Sequence, residues 1–282
     1  IPLNSKSFVC RDSSDPNALD LSKGFNIVVG GNTLGRGITF PHLQVVYYCR
    51  SSKKPQADTF WQHSRIFGYD READLVRIYI PESLYKLFAE LNKANEIIVK
   101  QVDAGIDTCQ VIYPSNIQPT RKNVLDLNYL NILIGGVNYF PNTPIQDNAK
   151  IIDDILYLND LSDDTALVTK DTLIEILQHC GSRDKDDFDC ARFIANINAL
   201  GVKRPTTNFR LIVRRDRNIS RGTGTLLSPN DRLLGDKYPN DVVLTLYRVN
   251  GFIDKGWNGQ PLWIPNIKFP EGLCFYDSES SV

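Results

Sequence analysis

Residues 25–49, FNIVVGGNTLGRGITFPHLQVVYYC, decide how this chain is read. The apolar run 25–30, stopped by Gly30 and Gly31, predicts a buried strand, and the run 43–49 predicts a second. Between them, Gly30, Gly31, Gly35 and Gly37 alternate with Asn32, Thr33 and Arg36. Glycine lets a backbone bend sharply or approach a ligand closely. A turn of this kind can present N–H groups and a guanidinium to phosphates. It is not a phosphate-binding loop of the GxxxxGK(S/T) type, nor does it contain GxGxxG.

Downstream, residues 56–68 predict a short helix carrying Phe60, Trp61 and Phe67, and 74–80, DLVRIYI, a third strand. Residues 82–101 repeat Leu84, Leu87, Phe88, Leu91 and Ile98 at helical spacing, an amphipathic helix. Strand, loop, strand, helix, strand, helix is the rhythm of an α/β unit with a parallel sheet. Residues 1–115 therefore read as the end of one such domain. The stretch 114–121, PSNIQPTR, reads as its boundary.

Residues 116–282 read as a separate α+β domain. Helices are predicted at 147–158, 170–180 and 187–199, and strands at 208–214 and 241–249. A Gly/Ser/Pro-rich loop covers 220–230, and an extended, Pro-punctuated segment covers 261–269.

In the second stretch that bears on chemistry, 62–71, QHSRIFGYDR, Gln62 and Arg65 are three apart and share a helix face. Arg71 follows Gly68. Arginine suits a phosphoryl group whose charge is stabilised during transfer, and an ordinary salt-bridged surface helix is the competing reading.

The order strand, Gly/Thr/Arg turn, strand, helix with Gln-x-x-Arg resembles motifs V and VI of superfamily-two helicases. GGNTLGRGITFPHLQVVYYCR with QADTFWQHSRIFGYDR resembles the Z-one domain, found on helicase-like ATPases of bacterial restriction and phage-defence systems. The resemblance is dense over 25–95; RGTGTLLSPNDR and GWNGQPLWIPNIKFP also suit the family. It implies a partial RecA-like parallel sheet, the helicase C-terminal lobe, followed by the accessory domain. It implies ATP and Mg held mainly by an N-terminal ATPase lobe of the same protein. DNA and restriction-system subunits are the implied partners.

Residue by residue, the resemblance places Gly35, Arg36, Gly37 and Thr39 near the nucleotide, and Asn32 and Thr33 on nucleic acid. Thr39 stands where many of these enzymes carry an Asp near the ATP ribose, and Ser64 replaces the usual Gly before the Arg. Arg65 or Arg71 is the arginine finger, with Gln62 as positioner. His63 is placed against a phosphate. With no phosphate-loop Lys and no acidic box on a strand, this chain alone is expected to be inactive as an ATPase. A non-catalytic module binding nucleic acid or protein is the alternative.

Net charge is −1, from 32 Lys and Arg against 33 Asp and Glu, so any nucleic-acid contact rests on local clusters. One cluster is Arg50, Lys53 and Lys54; another is Arg204, Arg210, Arg214, Arg215, Arg217 and Arg221. Arg210 and Arg214 fall on one face of the predicted strand. With Arg215 they form a candidate phosphate track. Asp216, Asp231 and Asp236 are available to neutralise it. Asp231, Asp236 and Asp241 with Lys237 are the dense candidates for a metal nuclease, but no (D/E)xK triplet accompanies them. Trp257 and Trp263 suit anchoring of the terminal segment better than base stacking.

Six scattered cysteines without a CxxC pair read as reduced, cytosolic thiols rather than a metal site. No apolar run approaches the ~18 residues of a membrane span. The chain starts at Ile1 and contains no Met, which suggests a piece of a longer protein.

Overall fold

The structure is a computed structural model that describes residues 2–3, 24–31, 34, 40, 43–64, 72–120, 130–161, 165–184, 187–222 and 229–278. The chain divides into two units. The first comprises residues 1–93 and 116–126, the second 94–115 and 127–282. The boundary read at 115/116 is where the chain passes from the second unit back to the first.

In the first unit, β1 (Pro2–Leu3) pairs in parallel with β2 (Val29–Gly30). β3 (Val45–Tyr47) pairs in parallel with β4 (Arg77–Tyr79), Val46 opposite Ile78. The connection from β3 to β4 carries α1 (Ala57–Ser64), as parallel pairing requires a crossover. α1 buries Ala57, Phe60 and His63, three apart and thus on one face. Phe60 and Tyr48 both meet the Phe88 ring edge-to-face, at centroid distances of 5.2 and 5.6 Å. Phe88 lies on α2 (Glu82–Asp103), of which residues 82–93 belong to this unit. The expected RecA-like parallel sheet is not evident. Among the described residues, parallel pairing in this unit consists of two separate two-stranded ribbons and an isolated bridge between Gln56 and Gln118. Parallel sheets normally have both faces covered. Here Val45 and Tyr47 on β3, and Ile78 and Tyr79 on β4, stay exposed.

The second unit is mixed α and β. Its five-stranded sheet runs β7-β11-β10-β9-β8, from β7 (Asn138–Tyr139), β8 (Thr165–Val168), β9 (Phe209–Arg217), β10 (Val242–Val249) and β11 (Leu262–Lys268). Only β9 and β10 are parallel, and α6 (Pro229–Asp236) lies in the connection between them. A three-stranded antiparallel sheet places β12 (Leu273–Ser278) between β5 (Val111–Pro114) and β6 (Leu130–Ile134).

Strand alternation divides β9 between two environments. Leu211 and Val213 join Leu244, Leu246, Trp263 and Ile267 in the core. Against them pack α3 (Ala149–Leu158) through Ile152 and Leu156, α4 (Lys170–Gln178) through Leu173 and Ile176, and α5 (Cys190–Lys203) through Ile197 and Leu200. Each pair recurs at helical spacing. Thr169 and Asp189 cap α4 and α5, each accepting from a backbone N–H three residues on. β11 accommodates Pro265 because β7 pairs only with Ile267 and Lys268, which leaves β11 open on that side at the proline. At Trp263 the gap is closed by Asn148: its Nδ2 donates to the Trp263 carbonyl at 2.9 Å, and its Oδ1 accepts from the Trp263 N–H at 2.9 Å.

Candidate functional site

Much of the motif region read from the sequence — Asn32, Thr33, Gly35, Arg36, Gly37, Thr39, Arg65 and Arg71 — lies outside the described residues. What is described is the framework around it: β2 ending at Gly30, β3, α1 bearing Gln62, and β4. Gln62 is partly exposed on α1.

His63 is not a phosphate contact. The residue is 3% exposed and both ring nitrogens are engaged. Nδ1 lies 2.7 Å from the Tyr48 hydroxyl, and Nε2 lies 2.8 Å from a guanidinium nitrogen of Arg50. A guanidinium only donates, so Nε2 carries no proton. The imidazole is therefore neutral, and its Nδ1–H donates to Tyr48 Oη. Burial pushes the Tyr48 phenol up, partly opposed by the nearby Arg50 charge. Sequence reading had assigned His63 from its place beside Arg65. Its true partners are 13 and 15 residues away, beyond the reach of a local motif.

The arginines of the candidate phosphate track on β9 lie beside carboxylates. Arg210 donates from Nε to Asp241 at 2.8 Å and lies 3.7 Å over the Tyr238 ring. Arg214 pairs with Asp231 at 2.9 Å, and Arg217 reaches the same carboxylate at 3.5 Å. Arg215 points to the opposite face, 3.7 Å from Asp153 of α3 and 5.4 Å over the Trp263 ring. Asp153 also receives Arg248 at 2.8 Å and the Trp263 indole N–H at 3.0 Å. Each of these guanidinium groups thus has a carboxylate partner within the second unit.

The same pairs disperse the candidate nuclease carboxylates. Asp231 serves Arg214, Asp241 serves Arg210, and Asp236 serves the buried Lys268 at 3.0 Å. Among the described residues no group of His, Cys, Asp or Glu could hold a metal ion. Asp231 and Asp236 both sit on α6, so ion pairs fasten this helix to the polar face of the sheet. Burial, then the Asp231 charge, pushes the Tyr247 phenol beneath them far up.

The remaining signals are structural. Trp257 is buried and donates to the Ile219 carbonyl at 2.7 Å, and Trp263 is fully buried, so neither stacks on bases. Burial, with Asp189 nearby, raises Cys190 to about 12, and burial also raises Cys180 and Cys274, which keeps these thiols protonated. Asp187 is different. Burial pushes its carboxyl up, but the N–H of Thr143, the Ser182 hydroxyl and both nitrogens of Asn142 outweigh it and hold the carboxyl below its ordinary range.

Comparison with known proteins defines the class first. Residues 5–121 match the family model of the Z1 domain, the Z-one domain of the sequence reading. Residues 133–271 match that of the restriction endonuclease CglI H-subunit, C-terminal domain. The chain thus joins a Z1 segment to a restriction-endonuclease-associated segment. The particular likeness among solved structures is to the C-terminal domain of the CglI restriction endonuclease H subunit. The two are 33% identical over 49% of this chain and 99% of that one, with a TM-score of 0.45. No curated protein matches. Among the described residues no helix is long and apolar enough to cross a membrane.

Proposed function

We propose that this chain is a DNA-acting component of a restriction system, and that its first unit is part of the second lobe of an ATP-driven, helicase-like motor. The observation that carries this reading is the joining, in one chain, of a Z1 match to a restriction endonuclease H-subunit match. The motif order supports it: β2, the glycine-rich turn, β3, then α1 with Gln62 leading into Arg65 and Arg71, and β4 parallel to β3. So do the exposed apolar residues of β3 and β4, which suit a ribbon that is one piece of a larger sheet.

The residues of this chain do not fit a resident Mg–ATP site. The sequence has no GxxxxGK(S/T), and the described residues hold no metal-ligand cluster. Nucleotide is held by another lobe in this reading. Arg65 and Arg71 bring positive charge to its terminal phosphate, Gln62 positions, and Gly35, Arg36, Gly37 and Thr39 line the nucleotide side. Asn32 and Thr33 face the nucleic acid. Partner subunits of a restriction endonuclease complete the assembly.

The test is steady-state phosphate release by the protein together with its ATP-binding lobe. Arg65→Ala or Arg71→Ala is expected to lower turnover on the order of 10³-fold without changing the fold. Undiminished turnover in both variants would end the motor reading.

A further inference from the structure

β3 ends at Tyr47, and the chain leaves its carboxyl end through Tyr48, Cys49 and Arg50 into the loop before α1. In open sheets with parallel strands, ligands bind beyond the carboxyl ends of the strands. Arg50 is exposed there, yet its guanidinium is anchored, one nitrogen donating to His63 Nε2 at 2.8 Å. The anchor is neutral, because Nε2 accepts and the one ring proton sits on Nδ1 towards Tyr48. A neutral imidazole orients the guanidinium without cancelling its charge. An aspartate in the same place would do both.

The loop continues with Lys53 and Lys54, both exposed. Ser52 shapes it: its hydroxyl donates to the Lys54 carbonyl at 3.1 Å and accepts from the Lys54 N–H at 3.3 Å. Among the described residues, no carboxylate pairs with Arg50, Lys53 or Lys54. In a protein of net charge −1, three neighbouring cations thus stand without a carboxylate among the described residues, one of them pre-positioned. Cations spread along five residues suit the repeated phosphates of a strand better than one compact anion.

We propose that Arg50, Lys53 and Lys54 form a loop that binds the phosphate backbone of a nucleic-acid strand, with His63 as the residue that positions Arg50. This rests on the nucleic-acid part of the proposed function and is independent of its ATP part.

The test is fluorescence anisotropy of a short, random-sequence labelled DNA strand titrated with the whole chain over a range of salt concentrations. Arg50→Ala/Lys53→Ala/Lys54→Ala together are expected to weaken binding roughly 10-fold at low salt and to flatten the slope of log affinity against log salt by about 2. Lys86→Ala on α2, whose ammonium pairs with Glu82, is the control and leaves both unchanged. His63→Leu reproduces the loss seen with Arg50→Ala alone, whereas His63→Gln, whose amide oxygen can accept from Arg50, retains most of the affinity. Circular dichroism melting verifies that each variant is folded. The proposal is overturned if the triple variant keeps the affinity and slope of the parent. It is equally overturned if the triple variant loses binding of a fluorescent ATP analogue but not of the strand. Should the parent chain bind no strand at all, the nucleic-acid part of the proposed function falls with it; the arginine-finger assays stand apart from either result.

Discussion

The arginines of β9 and the arginine after β3 are both held by a side chain, but by opposite chemistry. In the second unit Arg210, Arg214, Arg215 and Arg248 are held by Asp241, Asp231 and Asp153. In the first unit Arg50 is held by a neutral imidazole. A carboxylate partner removes the field a guanidinium would project and makes it a structural rivet. An imidazole partner fixes direction and leaves the field intact. A dense cluster of arginines in a sequence is therefore a poorer guide to a polyanion site than a sparse one whose partners carry no charge.

The comparison breaks most visibly at Asp231. Asp231→Ala leaves the part-buried Arg214 without its counter-charge and α6 without a fastening, and is expected to cost about 3–5 kcal/mol in urea unfolding. A loss below about 1 kcal/mol, the range of exposed pairs, would show these pairs to be incidental.

Asp187 sharpens the contrast at intermediate size, since it is held by uncharged donors. Its folded-state value lies below the ordinary one, so its contribution is present above about pH 4 and is lost as pH falls through the depressed folded value. Thermal melting of Asp187→Asn should lose that portion of the acid-side dependence; an unaltered profile would contradict the assignment.

The smallest effect belongs to the loop. Removing Arg50, Lys53 and Lys54 together should cost about 1 kcal/mol in unfolding stability, because the two lysines are exposed and the loss of Arg50 takes from the buried His63 Nε2 its donor. A large destabilisation would mean that Arg50, too, is a rivet.

Long, strongly periodic elements were legible in the sequence. α2, α3, α4, α5, β9 and β10 fall within a few residues of their expected places, because repeating apolar positions survive any detail of packing. β5, β6, β8 and β12 are short and were not read; β5 lies just before and at the start of a stretch taken for a linker. α6 was hidden behind Gly222 to Ser228, and its helix is secured by Asp231 and Asp236 more than by any apolar stripe. Period two correctly put Arg210 and Arg214 on one face. It could not name their partners, nor the Asp153 that holds Arg248 from 95 residues away. Pairing across such distances is a property of the folded chain and has no local signature.

Asn148 has a consequence for how the molecule behaves in company. By exchanging both a donor and an acceptor with Trp263, it acts as a strand one residue long. An unprotected stretch of sheet border invites a foreign strand to zip on, which is how folded proteins begin to polymerise. At Trp263 that invitation is withdrawn by a single amide, where β7 is too short to do the same.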